Sequence, residues 1–122
     1  THYAVEDRVD FEGFKKDIIP YYLHARVTIL PSLYEGYPNV LIESISMNTP
    51  VIAFDCPSGP NEIIIDGRNG YLVKNQDLND LRKKMLNFPY DKFIYRDLAN
   101  SIKKNHIETV FKKYEDLIYK FT

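Results

Sequence analysis

A chain of 122 residues, 44% apolar and 14% aromatic, holds enough core-forming side chains for one compact domain and is too short for two ordinary ones. Sixteen basic residues against seventeen acidic give a net charge of −1, so no overall field draws the protein to nucleic acid or to an anionic membrane. A single cysteine, Cys56, excludes an internal disulfide, and no apolar run approaches the roughly 20 residues that span a bilayer. With no signal-peptide pattern at the amino end, a cytoplasmic protein is the expectation. Lysine pairs at Lys15-Lys16, Lys83-Lys84, Lys103-Lys104 and Lys112-Lys113 read as solvated faces; the alternative is peripheral contact with lipid headgroups at the inner face of the membrane.

In chain order, "VDFEGF" alternates Val9 and Phe11 with Asp10 and Glu12 before Gly13, which predicts a strand ending in a turn. "DIIPYYLHA" predicts a short helix that either kinks at Pro20 or starts there. "VTILP", "VIAF" and "YLV" are short apolar runs without alternation, the pattern of strands buried on both faces. Helical segments separate most of these strands. Residues 77–88 and 91–121 read as helical, divided by a turn at 87–91, and Phe111, Tyr114, Leu117, Ile118 and Phe121 recur at the spacing of a docked helix face. The expected fold is therefore α/β: a Rossmann-like, largely parallel sheet flanked by helices, one unit over residues 1–122 with carboxyl-terminal helices over about 91–121.

The stretch "PSLYEGYPNVLIES" then turns from strand into helix. Pro38 suits the first turn of that helix, which makes "SLYEGY" a loop at the carboxyl edge of the sheet, where open α/β sheets bind ligands. Gly36 permits close approach of a ligand, and the amides of Asn39, Val40 and Leu41 form an anion site at the helix start. At about 100° per residue, Asn39, Glu43 and Ser46 share one stripe, while Val40, Leu41, Ile42, Ile45 and Met47 cover the rest. A carboxylate on such a seam must face water, a partner or a ligand, because burying it unpaired is costly. Glu35, in the loop, reaches the same crevice. Two carboxylates beside an anion-binding helix end suit a molecule with hydroxyls on both sides of a phosphate, namely a nucleotide sugar.

The residues also resemble the P-S-x-x-E-G-[FY]-P-x-x-x-x-E-[AS] signature of the retaining GT-B glycosyltransferases of family four, whose hallmark is E-x7-E. Glu35 and Glu43 match its two glutamates. Upstream, "VDFEGF" and "IIPYYLHARVTILPS" are similar to the family's V-x-F-x-G strand and following helix. Downstream, "NTPVIAFDCPSGPNEIIIDGRNGYLV" is similar to its G-x-P-V-[IV]-A, G-P-x-E-[IL]-I and G-x-N-G-[YFL]-L-V motifs, so residues 5–73 match closely. Asn48 departs from the usual glycine but tolerates the same left-handed cap.

The resemblance implies roles. Glu35 would hydrogen-bond hydroxyls of the transferred sugar as the catalytic glutamate, Glu43 would bind the ribose diol, and amides over residues 36–41, those of Gly36, Tyr37, Asn39, Val40 and Leu41 with Pro38 setting the turn between them, would meet sugar or diphosphate oxygens. Phe14 and Lys15 would frame the base. Tyr37 reads as packing, or as lining for the donor pocket. Glu62, Gly59 and Pro60 read as a local cap, and Gly67 and Gly70 as turn residues. His2, His24 and His106 form no metal motif and there is no D-x-D, so neither metal nor cofactor is expected. His24 reads as a helix-end residue.

In the family's strand order 3-2-1-4-5-6, "VDFEG" would be strand 3 and "VTILP" strand 4, and the Arg and Lys that hold the diphosphate lie earlier. The implied unit is a partial carboxyl-terminal, donor-binding domain, whose acceptor, a glycan or a lipid-linked glycan of the cell envelope, binds through a separate amino-terminal domain. The donor would be a UDP-, GDP- or ADP-sugar, and unaided turnover is not expected. Strand edges left without neighbours have three outcomes open to them: strand 3 closes up on strand 4, two copies pair edge to edge as a dimer, or the amino-terminal segment stays loosely docked. The alternative is a nucleotide-sugar binding or interaction module that is not an enzyme. A phosphoacceptor receiver domain fits worse, because its acidic cluster should follow an early strand.

Overall fold

The computed structural model describes residues 6–31, 39–57, 59–93, 97–102, 108 and 112. Three strands, β1 (Thr28–Leu30), β2 (Val51–Phe54) and β3 (Gly70–Val73), form a parallel sheet in the order β1-β2-β3. Thr28 stands opposite Val51 and Val51 opposite Gly70, so the strands begin level with one another. These are the three apolar runs expected to be strands. Helices α1 (Ile19–His24), α2 (Asn39–Ser46), α3 (Pro60–Ile63), α4 (Leu78–Leu86) and α5 (Tyr90–Phe93) complete the chain order, with single 3₁₀ turns at Glu6–Arg8 and Ala99–Ser101. The α/β arrangement predicted from the alternation of patterns is the one observed. Among the described residues no helix is long and apolar enough to cross a membrane.

β2 is buried along its whole length because it lies between two strands and two helical layers. Successive strand side chains point to opposite faces, and the core divides accordingly. Val51 and Ala53 pack with Leu41, Ile42 and Ile45 of α2 and with Ile63, Phe93 and Leu98. Ile52 and Phe54 pack instead with Val73 and with Leu81 of α4. A strand enclosed on both faces has no polar alternation, and "VIAF" has none.

Local chemistry sets the element ends. α1 has no side-chain cap but carries Pro20 in its first turn, so the proline opens the helix rather than kinking it. Asn48 follows α2 with φ 65°, the left-handed conformation anticipated there, and its side-chain oxygen also accepts from the Leu98 amide at 2.6 Å. Gly59, with φ 125°, precedes Pro60 at the start of α3, and Gly67 turns with φ 81°. Asp77 caps α4 by accepting from the Asp80 amide at 3.0 Å. The α4–α5 turn closes on stacked Phe88 and Phe93, 5.3 Å between ring centroids.

Three expectations are corrected. Residues 9–12 form no strand: Val9 and Phe11 are 45% and 96% exposed, and no described strand pairs with the segment. Alternation proposes a strand, but only a hydrogen-bonded neighbour and a face to bury sustain one. Gly70 is the first residue of β3, not a turn residue; a Cβ there would lie 2.1 Å from the Val51 carbonyl oxygen. The helix expected over 91–121 is interrupted, since residues 97–102 contain only a 3₁₀ turn. Burial of Leu98 and Ile102 in the core beside α2 accounts for that break, together with a 2.8 Å hydrogen bond from the buried Asn69 side chain to Ser101. Of the later residues only 108 and 112 are described, both helical, so the apolar stripe from Phe111 to Phe121 lies outside the described residues.

Candidate functional site

α2 begins at Asn39, on the carboxyl side of β1, where the strand-to-helix reading put it. The intervening residues 32–38, with Glu35, Gly36, Tyr37 and Pro38, lie outside the described residues. Asn39, Val40 and Leu41 form the first turn of α2, the end at which backbone amides lack helical partners. The side-chain oxygen of Asn39 is buried there and accepts no hydrogen bond from a described residue.

The expected polar stripe is real but broader than anticipated. Leu41, Ile42 and Ile45 are fully buried, whereas Asn39, Glu43 and Ser46 are partly exposed. Val40, expected on the apolar side, is 36% exposed. Ser44 is completely buried, and its hydroxyl is hydrogen-bonded to Thr28 Oγ1 at 2.8 Å and to the Thr49 carbonyl at 3.0 Å. The helix face that meets β1 is thus closed by hydroxyls as well as by methyl groups.

Glu43 is fixed from α1. The Tyr22 hydroxyl donates to Glu43 Oε2 at 2.9 Å. Tyr22 is itself buried, and its main-chain carbonyl accepts from the Thr49 hydroxyl. The contacts Tyr22–Glu43, Tyr22–Thr49, Thr49–Ser44 and Ser44–Thr28 make one continuous polar seam through α1, β1, α2 and the approach to β2. Sequence reasoning missed Tyr22, Thr28, Ser44 and Thr49. A phenol among the apolar residues of a short helix does carry a signal, since a buried tyrosine needs an acceptor, but nothing local names that acceptor.

Phe14 and Lys15 lie in the exposed segment ahead of α1. Phe14 is 91% exposed, and Lys15 pairs at 3.8 Å with Glu12 across a solvated turn. No hydrogen bond, ion pair or ring contact joins either to α2 among the described residues. Glu62 is exposed in the first turn of α3, in keeping with its local reading, and His24 is the last residue of α1. His2 and His106 lie outside the described residues. Among the described residues no three His, Cys, Asp or Glu side chains come together to hold a metal ion.

A family profile described as "Glycosyl transferases group 1" matches residues 1–89. The amylovoran biosynthesis glycosyltransferase AmsD of Erwinia amylovora is 35% identical over 121 residues, 95% of this chain and 34% of that protein. The poly(ribitol-phosphate) alpha-N-acetylglucosaminyltransferase of Staphylococcus aureus is 32% identical over 83 residues, 68% of this chain and 17% of that protein. The chain therefore spans only part of the length of these two curated relatives, 17% and 34%. Among solved structures, TarM superposes with TM-score 0.69 at 27% identity, over 93% of this chain and 25% of its own. The lipopolysaccharide outer core galactosyltransferase WaaB in its apo form superposes with TM-score 0.74, over 99% of this chain and 36% of its own. At 24% identity the latter likeness speaks to fold alone. The parallel sheet with its helices matches part of these GT-B glycosyltransferase structures.

Proposed function

This chain belongs to the group 1 glycosyl transferases, and from that premise we propose that it is the donor-binding part of a retaining glycosyltransferase that moves a sugar from a nucleoside-diphosphate sugar to a glycan or lipid-linked acceptor. The observation that supports this reading most is the half-buried carboxylate of Glu43, one turn into the helix that follows β1, with one oxygen held by the Tyr22 hydroxyl. An open α/β sheet binds ligands beyond the carboxyl ends of its strands, and a carboxylate there accepts the paired hydroxyls of a ribose.

In the proposed reaction, the bond between the sugar's anomeric carbon and the diphosphate oxygen breaks with its electron pair on that oxygen, the hydroxyl oxygen of the acceptor bonds to that carbon, and the hydroxyl proton passes to the departing diphosphate. Negative charge accumulates on the departing diphosphate. The amino end of α2, starting at Asn39, supplies backbone N–H groups and the positive end of the helix dipole to that charge, and the proposed step includes no metal ion. Val40 and Leu41 would contribute through their amides. Glu35 would receive hydroxyls of the transferred sugar, and Phe14 and Lys15 would close over the base. The names of the relatives, which include a poly(ribitol-phosphate) glycosyltransferase, an amylovoran biosynthesis glycosyltransferase and a lipopolysaccharide galactosyltransferase, support an acceptor of the cell envelope. Lysine pairs would serve peripheral contact with a membrane that carries such an acceptor.

The test is calorimetric titration of the intact protein with UDP, GDP and ADP. One of the three is expected to bind, and Glu43→Ala weakens it roughly 10- to 100-fold, since charge-assisted hydrogen bonds contribute about 1.5–3 kcal/mol and 1.4 kcal/mol is tenfold. Unchanged affinity in Glu43→Ala would remove the ribose role. Binding without turnover of any nucleotide sugar when an acceptor-binding domain is also present would identify a binding module rather than an enzyme.

A further inference from the structure

We propose that Tyr22 is the positioning residue for ribose recognition: its hydroxyl holds Glu43 in the one orientation from which the carboxylate receives the diol. The inference rests on the proposed ribose role of Glu43 and extends it to a residue 21 positions away on another element.

A buried phenol needs an acceptor, and a main-chain carbonyl would have met that need without bringing a charge. The acceptor is instead the carboxylate on the exposed stripe of an otherwise buried helix, at 2.9 Å. A phenol donor is neutral, so it orients the carboxylate and leaves its charge intact. One O–H occupies one of about four lone-pair sites, so this contact orients the carboxylate without saturating it.

Both ends of the contact are anchored. Tyr22 is 8% exposed, and its main-chain carbonyl is held by Thr49. On α2 the residue after Glu43 is Ser44, tied to Thr28 and again to Thr49. Glu43 therefore gives up its rotamer freedom on folding, before a ligand arrives. A carboxylate restrained in advance binds more tightly than a mobile one, because ordering no longer opposes association.

Tyr22→Phe isolates the effect, since it keeps the ring, its burial and the Thr49 contact and removes one hydroxyl. The intact protein, Tyr22→Phe, Glu43→Gln and the double variant are each titrated with UDP, GDP and ADP and with the matching 2′-deoxynucleoside diphosphates, and thermal melting checks that each folds. Tyr22→Phe is expected to weaken the ribonucleotide roughly 3- to 10-fold, corresponding to the loss of one hydrogen bond, while the deoxynucleotide changes little. The preference for ribose shrinks, and Tyr22→Phe adds almost nothing once Glu43→Gln is present. If Glu43→Gln collapses the preference and Tyr22→Phe leaves it intact, or weakens both nucleotides equally, the positioning role is overturned and the ribose role stands. If Glu43→Gln leaves the preference unchanged, the ribose role itself is overturned, and the role of Tyr22 with it.

Discussion

Gly70 and Asn48 show how much a single residue carries in so short a sheet. At Gly70 the limit is space. The backbone of β3 runs so close to Val51 that a methyl group would sit 2.1 Å from a carbonyl oxygen and 2.8 Å from a valine methyl, and main chain cannot swing aside as the end of a flexible side chain can. Gly70→Ala is therefore expected to destabilise by about 3 kcal/mol, the upper part of the usual range for overpacking, measured as a fall in the denaturation midpoint with an unchanged slope. A loss under about 0.5 kcal/mol, the level of an ordinary surface change, would show that the strands separate at little cost. Asn48 does two things at once: it tolerates φ 65° and it offers its side-chain oxygen to the Leu98 amide. A glycine could do only the first. The departure from the family's usual glycine thus gains a contact to the stretch that follows α5.

Among the elements, β2 is enclosed and the segment at residues 9–12 is not. Every residue of β2 is buried, and both of its edges are paired, to β1 and to β3. Residues 9–12 are exposed and pair with no described strand. Amide exchange follows the cost of opening, so amides over residues 51–54 should exchange with the slowest of the chain and those over 9–12 within the fastest group. The amides of β1, paired on one described side only, should fall between. Equal protection at 9–12 and 51–54 would mean that the amino-terminal segment is bound into a sheet after all. The α4 cap illustrates the opposite balance, in which local chemistry suffices: Asp77 accepts from the Asp80 amide, and the sequence places that aspartate one residue ahead of the apolar periodicity.

For the whole molecule, the two most exposed large apolar side chains among the described residues lie in the amino-terminal segment. β1 is an outer strand among the described residues, and Phe11, Phe14 and Leu23 are 96%, 91% and 60% exposed. Unpaired strand edges and bare apolar side chains are both adhesive. With a net charge of only −1, little overall repulsion opposes contact between copies. The 122-residue chain is accordingly expected to self-associate with rising concentration, seen as a concentration-dependent sedimentation coefficient, and Phe11→Lys should weaken the association. A single monomeric boundary at every concentration would dispose of the idea.

Legible in the chain alone were the α/β class, the three strands, the left-handed Asn48 and the resemblance built on Glu35 and Glu43. Each of these depends on residues within about a dozen positions of one another, where side-chain period and motif spacing act directly. The tertiary structure alone decided what distant segments do to each other. It left residues 9–12 without a strand partner, placed Gly70 against Val51, broke the helical pattern at 97–102 to bury Leu98, and set the Tyr22 hydroxyl on Glu43. Hydrogen-bond partners and close contacts are relations between surfaces brought together by packing. Neither of two adjacent tyrosines, Tyr21 and Tyr22, declares in the chain which one will find the carboxylate, because that choice exists only once α1 lies against α2.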